Sequence, residues 1–172
     1  MEKNESTSAR KTAIRALLVA LAMILSYIES QVPVGFMVPG MKIGLTNLVV
    51  MVALYKLNEK EAIIINIVRI FLVGFTFGNL FSIVYSLAGG ILSGVVMIIL
   101  KRTQKVGMTT VSVAGGVSHN VAQIIVAMIV METNAILYYL LVLWISGVFA
   151  GVVIGILSAE VIKRLPRQFG YN

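Results

Sequence analysis

Six long apolar runs joined by short polar connections constrain this chain more than any other feature. A helix needs about 20 apolar residues to cross the hydrocarbon core of a bilayer, or somewhat fewer where it tilts little. By that measure the spans fall at roughly 12–32, 43–57, 61–78, 80–100, 111–131 and 135–160. Backbone groups have no water to bond inside a membrane, so each span reads as a helix and the fold class as an all-α integral membrane bundle. The connections are brief: "NEK", "FGN", "KRTQKVGMT" and "METNA". The first loop, "QVPVGFMVPGMK", is the longest, and its two prolines and two glycines break the helices on either side. Residues 1–11 read as a frayed polar tail, 12–162 as a single transmembrane domain and 163–172 as a second tail. The first run, "ALLVALAMILSYIESQV", is too long for a signal peptide and has no A-x-A cleavage site, so it reads as a retained helix.

Composition agrees with that reading. Of the 172 residues, 59% are hydrophobic and only 12% charged, where a soluble domain carries about a quarter charged. The mean hydropathy is +0.97. Cysteine is absent and histidine occurs once, which excludes disulfides, thiolate metal sites and multi-histidine sites. The net charge of +7 does not point to nucleic acid, because the cations lie in clusters between the apolar runs. With six spans, twelve cations fall on one side: Lys3, Arg10, Lys11, Arg15, Lys56, Lys60, Lys101, Arg102, Lys105, Lys163, Arg164 and Arg167. Only Lys42 falls on the other. The rule that positive loops stay inside then predicts cytoplasmic N- and C-termini in the cell membrane.

Small residues four apart let membrane helices approach closely. Ser86, Gly90 and Gly94 make one such stripe, Gly147, Gly151 and Gly155 another, and both predict helix packing. Ala16 and Ala20 make a shorter stripe near the basic tail, where a partner subunit could dock. Polar groups within the runs are the candidate ligand contacts. Arg69 lies near the middle of the third run, with Asn66 one turn earlier. A charge at that depth must face the bundle interior and be paired, either structurally or by a bound anion. His119, Asn120 and Gln123 occupy about 100° of a helix surface, with Gly115 and Gly116 just before them. They either tie helices together or line a cavity. Lys42 and Asn47 flank the start of the second run after the Pro39-Gly40 turn, and there they either pack or form one wall of a pocket. Glu29, Asn79 and Glu132 sit at the same end of their runs. There is no Walker loop, no DDxxD motif for magnesium and diphosphate, and no nucleophile with a base; neither a catalytic nor a metal site is assigned, and no cofactor.

Three of these stretches, "PGMKIGLTNLVV", "NIVRIFLVG" and "GGVSHNVAQ", occur in an order and helix placement that resemble the Gx transporter family, often labelled heptaprenyl diphosphate synthase component I. The resemblance covers residues 12–162. That family is in turn similar to the substrate-binding S components of energy-coupling-factor vitamin transporters. Those are six-helix proteins with cytoplasmic termini and an A-x-x-x-A docking motif in the first helix, which Ala16-Leu17-Leu18-Val19-Ala20 fits. The resemblance implies a small-molecule-binding subunit without its own ATPase, partnered by a membrane coupling protein and two cytoplasmic ATPases. It places Pro39–Asn47 as loop and wall of an outward-facing site, with Asn79 and the polar faces of the third and fifth helices below. The synthase label implies instead a membrane partner of a soluble prenyltransferase subunit.

Overall fold

The computed structural model describes residues 2–31, 44–166 and 169, and among them every regular element is helical. Helix α1 covers Glu2–Gln31, α2 Leu45–Val52, α3 Glu59–Phe77, α4 Leu80–Thr103, α5 Met108–Met131 and α6 Leu140–Arg164. Helix α2 widens into a π-helical turn at Ala53–Leu57, and a 3₁₀ turn at Asn134–Tyr139 leads into α6. Among the described residues, four stretches are long and apolar enough to cross a membrane: Ala9–Gln31, Leu80–Thr103, Met108–Met131 and Asn134–Arg164. Leu45–Leu57 is apolar but shorter. Helix α3 has 19 residues, with Glu59 and Glu61 in its first turn and Arg69 in its body.

Local chemistry sets the helix ends. The Asn58 side chain accepts from the Glu61 N–H at 2.9 Å and starts α3. Asn79 and Ser82 form a reciprocal capping box at the start of α4. Gly44, at φ +79°, supplies the left-handed residue from which α2 departs.

Helices α4, α5 and α6 pack in sequence, α3 lies against α4 and α1, and α2 touches α1, α3 and α6. Helix α2 therefore fills the middle of the bundle, and its composition suits that place. Val49, Met51 and Ala53 are fully buried, and Val50, Val52, Leu54 and Leu57 nearly so. A helix apolar on every side needs neighbours on every side. At the α5–α6 contact, a Cβ added to Gly151 would lie 2.5 Å from the Val113 Cα, and one on Gly155 2.7 Å from the Thr109 Cα. The Gly147–Gly151–Gly155 stripe thus packs as expected.

The Ser86–Gly90–Gly94 stripe does not behave as one packing surface. Gly90 abuts Asn66 and Ile70 of α3, but a Cβ on Gly94 would meet nothing within 4 Å. The second close approach on α4 is made by Gly89, which lies under the His119 ring. Element bounds also shift. Helix α1 already begins at Glu2, within the stretch expected as a tail, and α4 runs on to Thr103.

The basic ends of the helices meet at one end of the bundle. Arg15 of α1 forms a two-pronged ion pair with Glu61 of α3. Arg102 of α4 pairs in the same way with Glu59. Lys56 donates to the Leu165 carbonyl at 3.0 Å, and Lys101 to the Leu54 carbonyl at 2.7 Å, its ammonium 5.5 Å from the Tyr55 ring centre. Arg102 holds the Glu59 carboxyl below its ordinary value by hydrogen bonding and charge.

Candidate functional site

The polar residues inside the bundle form two groups. The first lies between α1, α2, α3 and α4. Glu29, near the end of α1, accepts from the Gly44 backbone N–H and lies 3.5 Å from the Thr46 hydroxyl. Thr46 is also 3.0 Å from the Ser26 hydroxyl, both side chains buried. The carboxylate therefore sits at the start of α2, where the helix dipole favours negative charge.

Arg69 donates from Nη2 to the Asn66 Oδ1 at 2.5 Å, and Asn66 donates in turn to the Gly90 carbonyl at 3.4 Å. The Arg69 Nε is buried and has no hydrogen-bond partner. A guanidinium offers five donors in a rigid fork that matches carboxylate and phosphate. One prong is engaged by Asn66, and the Nε is buried without a partner. That is the arrangement an anion would complete.

The second group lies on α5, and its members diverge. The His119 imidazole faces α4, its ring atoms 2.7–2.8 Å from where a Gly89 Cβ would stand. Asn120 faces α6 and donates to the Leu143 carbonyl at 2.5 Å. Gln123 is 1% exposed, and its Nε2 is without a partner. The arc that looked like one polar face is shared between two helix contacts, because α5 is packed on both sides.

The remaining candidates are placed as follows. Asn47 is half-buried in the first turn of α2, its N–H on the Gly44 carbonyl at 2.8 Å. Asn79 caps α4 through the Ser82 N–H at 2.8 Å. Ala16 and Ala20 lie exposed on α1. Lys42 and the Pro39-Gly40 turn lie outside the described residues. Sequence reasoning placed Glu29 only at the end of its run; its pairing with Gly44 and Thr46 has no sequence signal beyond being the one acid in that run. Among the described residues no group of three or more histidines and acids could hold a metal ion.

No curated protein and no solved structure matches the chain. A family profile does, and over most of its length: residues 18–161 match the one described as heptaprenyl diphosphate synthase component I. The chain belongs to that family.

Proposed function

We propose that the chain is a six-span, non-catalytic membrane subunit that binds a small anionic molecule for uptake and relies on partners for energy. The observation that carries this reading is Arg69: a cation held inside the bundle by one amide, with its buried Nε left without a partner. A charge in that setting is costly unless function requires it. Glu29, Asn66 and Thr46 border the site, and His119, Asn120 and Gln123 of α5 are kept as further candidate contacts although they divide between α4 and α6. Asn47 stands beside Thr46 at the start of α2 and is a further candidate contact. The gathering of Arg15, Lys56, Lys101 and Arg102 at one end supports cytoplasmic termini, by the positive-inside rule. The exposed Ala16 and Ala20 provide a smooth strip on α1 for a membrane coupling protein, which would bring two cytoplasmic ATPases.

The test is purification of the tagged chain from its native membrane in mild detergent, with mass spectrometry of the retained proteins and small molecules. A coupling protein and ATPases are expected with the wild type, and Ala16→Leu or Ala20→Leu releases them while a bound anion stays. Arg69→Met is expected to release the anion and keep the partners. Unchanged assembly in both alanine variants would remove the docking assignment. The family match favours a second reading, a membrane subunit of a prenyl diphosphate synthase. On that reading a soluble prenyltransferase subunit is retained instead, and deleting the chain lowers polyprenyl diphosphate synthesis.

A further inference from the structure

A narrow crevice of about 70 Å³ runs between α3 and α4, with Val50 and Leu54 of the α2 segment at its back, and opens on the surface of the bundle. Its walls include Ile63, Ile70, Gly94 and Ile98, and it closes at Asn66 and Gly90. The polar contribution to the wall is Asn66, which is 7% exposed. The lips, Ile63, Ile91 and Val95, are each more than 40% exposed. From Gly90 to Ile98 the slot covers about two helical turns, or roughly 12 Å.

Gly94 gives the crevice meaning. Glycine in a helix interior costs about 1 kcal/mol relative to alanine, and elsewhere in this bundle the glycines of α5 and α6 offset that cost by close packing. At Gly94 no protein atom uses the space. The missing side chain keeps the slot open for something that is not part of the chain.

The charge at the mouth says what that is. Lys60 lies on the same face of α3 as Ile63 and Ile67, one turn nearer the basic end, and Arg102 lies on the same face of α4 as Ile98 and Val95. Lys101 neighbours Arg102. The carboxylate among them is Glu59, which is bound to Arg102. Glu61, beside Lys60, is taken up by Arg15, so Lys60, Lys101 and Arg102 against Glu59 leave the mouth positive. An apolar slot leading inward from a basic rim matches an amphiphile with an anionic head at the membrane surface.

We propose that the α3–α4 crevice binds one chain of an anionic phospholipid from the leaflet at the basic end, its phosphate resting on Lys60 and Arg102. The slot meets the Arg69 site only at Asn66, where it ends, and the proposal stands whether or not the uptake reading does.

The experiment uses the full chain in lipid nanodiscs carrying a diazirine-tailed phosphatidylglycerol or the matching phosphatidylcholine, with photolabelled peptides mapped by mass spectrometry. Phosphatidylglycerol is expected to label 63–70 and 90–98 well above phosphatidylcholine. Lys60→Gln and Arg102→Gln should each reduce that preference roughly fivefold. Gly94→Leu should abolish labelling in the slot. Gly94→Ala, whose methyl clashes with nothing, controls for folding and should reduce labelling only in part. Equal labelling by both lipids, or labelling indifferent to Gly94→Leu in a protein that still melts cooperatively, overturns the proposal. Displacement of the probe by an equimolar prenyl diphosphate, but not by excess phosphatidylglycerol, overturns the phospholipid assignment.

Discussion

Asn120 shows how a single amide acts in this bundle. Its Nδ2 reaches the Leu143 carbonyl on α6, and it lies directly over Gly147. Side-chain hydrogen bonds between membrane helices average about 0.6 kcal/mol and reach about 1.7. Asn120→Ala is therefore expected to lower stability by about 0.5–2 kcal/mol in a detergent denaturation series. No change would mean that the bond has no net value. The polar positions themselves were legible from the sequence: Arg69 with Asn66, and the trio on α5. Their partners were not, since residues 60° or 100° apart on a helix can still face different neighbours. His119 meets Gly89 and Asn120 meets α6 because α4 and α6 flank α5, a fact of topology rather than of spacing.

At the scale of helices, the same four-residue glycine spacing has two outcomes. Gly151→Ala drives a methyl into the Val113 backbone, 2.5 Å away, where nothing flexible can yield. It should destabilise by roughly 1–3 kcal/mol. Gly94→Ala meets open space and should raise stability by up to about 1 kcal/mol through helix propensity. Thermal melts of the two variants against wild type check both signs, and a loss in each would mean that the crevice is narrower than described. Spacing identified both stripes, but whether a glycine is used depends on the distance to the next helix. The central place of α2 was more nearly legible. "LVVMVAL" is apolar on all sides, as a fully surrounded helix must be.

Across the whole molecule, the basic end is tied by ion pairs that join α3 to α1 and to α4. Glu59 is held below its ordinary value of 4.5 by Arg102. Its contribution to stability is thus complete above that value and fades as pH falls through the depressed one. The pair is solvent-facing, so the effect is small. Glu59→Gln should melt slightly below wild type at pH 6, and the gap should narrow as the pH is lowered below 4.5; a gap that persists unchanged in acid would assign the loss to packing. The clustering of cations was written in the sequence, whereas the acids that organise them, Glu59 and Glu61, gave no sign of which arginine each would take.

The π-helical turn at Ala53–Leu57 gives α2 one more residue than a regular helix of the same height would hold. That spare residue works as a vernier. It turns everything below it by about 100° relative to an unbroken helix, which brings Lys56 round to the end of α6 and offers the Leu54 carbonyl to Lys101. The two halves of α2 are thereby set independently, the upper against Glu29 and the lower against the basic floor. Removing one residue from 53–57 would restore an ordinary helix and point its lower half at the wrong neighbours.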